Sequence, residues 1–147
     1  MLIPLLIGTL TIFVNMLIQV MAVVVLIRFF INRRQRMSKS PTLLDDTWVM
    51  AFALTVLFAG NIIQFTIWAW LFMSLGEFSD FATAFYHSTV NFASLGYGDI
   101  VMSEQWRLLG ALEAANGVLM FGLTAGTMFS IMQNMARQHQ PAHDAPA

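Results

Sequence analysis

Three long stretches almost free of charge set what this chain can fold into. From Met1 to Ile27 there is no charged residue, and Arg28 precedes a last apolar group, Phe29-Phe30-Ile31. A second uncharged run extends from Trp48 to Leu75, and a third from Trp106 to about Met135, with Glu113 the one charge in its interior. Each exceeds the roughly 20 apolar residues that a helix needs to cross a bilayer. Within hydrocarbon every backbone N–H and C=O must be satisfied by the segment itself, which leaves helices or closed barrels. Continuous apolar runs without strict alternation select helices. The first run lacks the basic start and short apolar core of a removable leader, so it reads as a retained helix. Only 10% of the 147 residues are charged, against roughly 25% in an average soluble domain. A net charge of −1 gives no basic footprint for nucleic acid. The absence of cysteine excludes disulfides, iron–sulfur clusters and thiol catalysis.

The cations orient the spans. Arg28, Arg33, Arg34, Arg36 and Lys39 gather around the first connection, whereas residues 76–105 hold no Lys or Arg and carry Glu77, Asp80, Asp99 and Glu104. The positive-inside rule then places residues 32–47 in the cytoplasm, the N-terminus outside and the tail with Arg137 inside. The loop between the second and third spans faces outward. Arg33, Arg34, Arg36 and Lys39 act as topology determinants, or bind an anionic lipid headgroup.

Within the outward loop, residues 80–92 are apolar enough to be buried but too short to cross, the length signature of a re-entrant helix. Ser79 and Asp80 offer it an N-cap and a negative charge for the positive end of its dipole. Its partially negative end then faces the next segment of chain, and supports cations there. That segment is Ser94-Leu95-Gly96-Tyr97-Gly98-Asp99. Turning successive carbonyls toward one axis requires alternation between left- and right-handed backbone, and positive φ is cheap for glycine. Gly96 and Gly98 supply it.

On these residues, the segment from Trp48 to Met135 resembles the pore module of the tetrameric potassium channel family, with Ser94 standing for the family's Thr and Leu95 for its Val. The local pattern, continued by Trp106-Arg107-Leu108-Leu109 and Leu112-Glu113-Ala114-Ala115-Asn116-Gly117, is similar to small bacterial ion-channel proteins. The resemblance implies a bacterial inner membrane and a homotetramer, because each chain has one pore loop and a ring needs four. It implies stacked K⁺ sites made by the Ser94 hydroxyl and the carbonyls of Ser94, Leu95, Gly96 and Tyr97, with the Tyr97 ring packed outward and Asp99 at the outer mouth. Gly117 then aligns with the family's hinge glycine, and Val118, Phe121 and Ala125 line the inner cavity. Three positions depart from the pattern: Val90 stands where many members carry an acid behind the filter, Ile100-Val101-Met102 replaces a common proline, and Ser94 lacks the methyl of Thr.

Other polar residues fit around this frame. Glu113 lies roughly 13 Å into the third span at 1.5 Å per residue, where an acid faces a partner or water. It is expected behind the filter near His87 or Asn91, in the bracing role Val90 cannot fill, so that Glu113→Gln alters inactivation or its pH dependence. His87, next to Tyr86, is read as packing in an aromatic collar; no metal-ligand spacing surrounds it. Thr11, Asn15 and Gln19 recur every four residues on the first helix and are read as interhelical hydrogen-bond partners, as is Asn61 with Gln64. No helix carries the periodic arginines of a voltage sensor. Residues 136–147 are expected to be a disordered tail. Ser88, His87 and Asp80 cannot form a triad, because neighbouring positions on one helix do not face one another. No enzyme chemistry or cofactor is indicated.

The resulting expectation is an all-α integral membrane protein: an outer helix over 1–31, a basic connection over 32–47, and a pore module over 48–135 comprising a helix, a pore helix at 80–92, a filter at 94–99 and an inner helix at 106–135. Passive, potassium-selective conduction is the leading function. A weakly selective cation channel and a non-conducting accessory or sensor subunit are the alternatives.

Overall fold

The computed structural model describes residues 2–36 and 42–139, with the side chains of residues 34–36, 138 and 139 excepted. Lys39 and residues 140–147 of the expected tail lie outside the described residues, whereas residues 136–139, expected to be disordered, continue the last helix. Four helices account for the architecture: α1 (Leu2–Arg36), α2 (Leu43–Ser74), α3 (Phe81–Phe92) and α4 (Arg107–His139). No strand occurs among the described residues. Three of the helices, α1, α2 and α4, are long and apolar enough to cross a membrane. At 1.5 Å per residue the 12 residues of α3 reach about 18 Å, short of a hydrocarbon core of roughly 30 Å.

Helix ends follow local chemistry more than hydrophobicity. α2 begins five residues ahead of its uncharged run because Thr42 and Asp45 close a capping box: the Thr42 hydroxyl accepts from Asp45 N–H, and the Asp45 carboxylate accepts from Thr42 N–H at 3.0 Å. The other end is stopped by a Schellman arrangement, with Gly76 N–H donating to Met73 O and Glu77 N–H to Phe72 O. α3 starts where Asp80 caps the Thr83 N–H at 2.9 Å. Thr83 holds the Asp80 carboxyl below the usual carboxylate range. After the ribbon that leads away from α3, Ser103 donates both its backbone N–H and its hydroxyl to Glu77, at 2.7 and 2.6 Å. The exit of α2 and the approach to α4 are thereby stapled together.

The core sits where α3 lies against α2 and α4. Phe65, Trp68 and Phe72 from α2, Phe92 from α3, and Leu109 and Met120 from α4 form one cluster, with Phe78 and Phe85 packed on it. Phe65 meets Phe92 edge-on at 4.7 Å between ring centroids, a geometry that contributes about 1 kcal/mol beyond burial. A second cluster of Leu26, Ala53 and Leu57, with Met128 and Ile131 packed on it, joins the opposite ends of the long helices.

Helix α1 lies along both spans of the pore segment. A Cβ on Gly8 would overlap Leu112 of α4, and Gln19 bonds Thr124 of α4, so α1 and α4 run in the same direction. The polar positions on α1 do not behave alike. Thr11 donates to the Ile7 carbonyl of its own helix, Asn15 has no hydrogen-bond partner among the described residues, and of these three Gln19 is the one that bonds other helices. Gln64 pairs across to Gln19 and not with Asn61, because its side chain projects onto α1.

Candidate functional site

The site begins where α3 runs out. Ala93, Ser94 and Leu95 donate their N–H groups back to Thr89, Asn91 and Val90, and from there the chain leaves as an extended ribbon over residues 94–99. Its backbone alternates: φ is +56° at Ser94, +58° at Gly96 and +73° at Gly98, and negative at Leu95 and Tyr97 between them. Such alternation allows successive peptide carbonyls to face the same side. Glycine accepts the left-handed region at little cost; a serine there costs about 1 kcal/mol, and the N–H groups of Ser94 and Leu95, bonded back to Asn91 and Val90, hold the turn. The Ser94 hydroxyl points toward the Ala114 carbonyl of α4 at 3.5 Å. The entire ribbon is open on the single chain, with Leu95 54% and Tyr97 65% exposed.

Four contacts fix the ribbon and the helix α3 that leads into it. The Tyr86 hydroxyl of α3 donates to the Asp99 carboxylate at 2.7 Å. That bond holds the Asp99 carboxyl below the ordinary range and raises the Tyr86 phenol. His87 bridges the next level: its Nδ1 lies 3.1 Å from the Ile100 carbonyl and its Nε2 2.8 Å from the Asn91 amide nitrogen. A neutral ring donating from Nδ1 and accepting at Nε2 satisfies both contacts. Phe72 and Phe78 pack against the imidazole. Among the described residues no cluster of His, Cys, Asp and Glu could hold a metal ion.

The third contact ties Glu113, expected from the sequence behind the filter, to a partner that the sequence did not single out. Glu113 is fully buried, and its Oε1 lies 2.5 Å from the Ser88 hydroxyl of α3, which is itself 2.8 Å from the Phe65 carbonyl of α2. One serine thus ties three helices together. A hydroxyl has a single proton, so contact with both acceptors is complete when the carboxyl group contributes a proton of its own. Asn91, one turn further along α3, has its amide on His87 and also lies beside the Glu113 carboxyl, as expected, whereas His87 turns toward Ile100. Ser88 lies one turn from Ala84 and Phe92 among the buried positions of α3, and a hydroxyl on that face was the available signal.

The fourth contact is steric. A Cβ on Gly117 would fall on the carbonyl oxygen of Phe92, the last residue of α3. Glycine therefore permits α4 to pass directly beneath the start of the ribbon, and α4 continues without interruption through this position. Val118, Phe121 and Ala125 are all exposed on the single chain, on the α4 face below the ribbon, and Phe121 touches Phe92 edge-on at 5.6 Å. Of the four cations considered for lipid, Arg33 pairs with Asp45 at 3.3 Å; the side chains of Arg34 and Arg36, and all of Lys39, lie outside the described residues.

A family model described as an ion channel matches residues 51–134, more than half of the chain. The chain belongs to this ion-channel family. The match takes in most of α2, all of α3, the ribbon and most of α4, and leaves α1 outside it. No curated protein matches the channel, and no solved structure does.

Proposed function

We propose that the channel conducts potassium selectively through an axial pore formed by four copies of the chain, with the 94–99 ribbon as the selectivity filter. The observation that carries this reading is the alternation of φ at residues 94–98 in an exposed ribbon at the C-terminal end of a half-length helix. A potassium ion sheds its water only where carbonyl oxygens replace it from several sides, and one ribbon offers one side. Four ribbons around an axis complete the cage and cover Leu95 and Tyr97. The partially negative end of α3 adds a favourable potential for a cation just before Ser94.

Within this reading the carbonyls of Ser94, Leu95, Gly96 and Tyr97, with the Ser94 hydroxyl, coordinate K⁺, and ions move by repulsion between adjacent sites. Asp99, held ionised by Tyr86, attracts cations to the outer mouth. Glu113 with Ser88, and His87 with Asn91, keep the ribbon from relaxing sideways. Val118, Phe121 and Ala125 line the cavity below. The N-terminus lies outside and the connection over residues 32–47 in the cytoplasm, where Arg33, Arg34, Arg36 and Lys39 meet anionic headgroups. A less selective cation pore is the second reading, favoured by Ser94, whose hydroxyl is held only by the long contact to Ala114.

Reconstitution of the purified chain in liposomes tests this. Under opposing gradients, K⁺ uptake at least about tenfold faster than Na⁺ uptake is expected. Equal fluxes support the second reading, and the absence of both overturns conduction.

A further inference from the structure

Helix α1 lies outside the matched family segment, yet it supplies the side chain that links the two spanning helices of the pore segment. Gln19 is fully buried and uses both ends of its amide: Oε1 accepts from Gln64 Nε2 of α2 at 2.8 Å, and Nε2 donates to the Thr124 hydroxyl of α4 at 2.9 Å. Gly60 lets this happen, since a Cβ there would come within 3.1 Å of Gln19 Oε1. Thr124 is next to Ala125 and one turn from Phe121, so the link is made to the part of α4 that borders the cavity.

A second, independent observation concerns the surroundings of the link. Among the described residues, Gln64 Oε1 and Asn61 Oδ1, both buried on α2 around the Gly60–Gln19 contact, have no hydrogen-bond partner, and neither polar atom of the Asn15 side chain, one turn up α1, has one. In a membrane interior such atoms are costly. They are also alternative partners: if Thr124 moves away with α4, the Gln19 N–H group has an acceptor near at hand. A link whose donor can change partners is a two-position element, and packed interfaces of this kind switch between discrete arrangements.

We propose that α1 is a built-in control element of the pore, in which Gln19 is the positioning residue that holds α4 in the arrangement seen here and releases it by exchanging Thr124 for an acceptor on α2 or α1. The inference rests on the proposed tetramer, which the distances between α4 helices also require, but its effect on the helix does not depend on conduction.

The test exploits the absence of cysteine. Met132→Cys, two turns beyond Thr124 on α4, carries a nitroxide in the full-length chain, and pulsed electron resonance reads distances between α4 helices in bilayers. In the same samples, K⁺ flux is measured. A membrane hydrogen bond contributes about 0.6 kcal/mol, so Gln19→Leu is expected to shift the ratio of the α4 arrangements about threefold per subunit. Thr124→Val should give the same shift, and the double variant no more than either alone. Gln19→Asn, which shortens the amide by one methylene, should produce the shift although polarity is kept. Unchanged distance distributions in Gln19→Leu and Thr124→Val overturn the inference whether or not the chain conducts. Shifted distributions with no flux in any variant leave the link standing and sink the conduction reading instead.

Discussion

A Cβ placed on Gly117 falls on the Phe92 carbonyl oxygen and lies 2.9 Å from the Phe92 ring, so alanine there forces α3 and α4 apart where the ribbon begins. Overpacking of this kind costs about 1–3 kcal/mol. Gly117→Ala is expected to lower the thermal unfolding midpoint of the detergent-solubilised channel; a change in open probability with an unaltered midpoint would point to bending instead of packing. A second prediction belongs to Tyr86. Its hydroxyl keeps the Asp99 carboxyl below the ordinary range, so Asp99 stays charged as the pH falls until that depressed value is reached, and the bond's contribution to stability is lost over the same interval. In Tyr86→Phe the carboxyl protonates at higher pH. Flux measured against external pH should therefore fail sooner on acidification in the variant than in the parent channel.

Among the helices, α3 is the one whose placement depends on polar contacts at both ends and along its length. Asp80→Ala removes its N-cap, at a cost of about 1 kcal/mol, and should loosen the first turn as read by amide hydrogen exchange. Ser88→Ala leaves the buried Glu113 carboxyl without its partner, a loss of about 1–3 kcal/mol. Glu113→Gln behaves differently, because an amide N–H can donate to the Ser88 hydroxyl while that hydroxyl donates to Phe65. Near-parental thermal stability is expected for Glu113→Gln and a clear loss for Ser88→Ala. Similar losses in both would show that the carboxyl, not the hydrogen-bond pattern, is what α3 requires.

At the scale of the molecule, a single chain leaves its ribbon and one face of α4 uncovered, together with a belt of large apolar side chains around α1 and α2. Lipid can cover the belt. It cannot satisfy the carbonyls of the ribbon, which need cations, water or other copies. Native mass spectrometry from detergent is expected to show four copies, and Gly96→Ala, strained at φ +58°, to abolish selective flux while leaving that mass unchanged. Monomers or dimers as the only species would remove the basis for a closed ring.

The spans, the half-length helix and the glycine-bearing ribbon were legible in the residues themselves. Length against bilayer thickness, continuous apolarity and the αL tolerance of Gly96 and Gly98 are local properties, and they act whatever the neighbours do. Contacts between helices were not legible in the same way. The four-residue spacing of Thr11, Asn15 and Gln19 marked one interhelical face of α1, but α2 and α4 are apolar around nearly their whole circumference, and no periodicity reports which partner each face meets. The pairing of Glu113 with Ser88, the positive φ of Ser94, the passage of Gly117 beneath Phe92 and the Gln64–Gln19–Thr124 link all depend on helix rotation and crossing. Those are set by packing among three spans at once, and only the tertiary structure decides them.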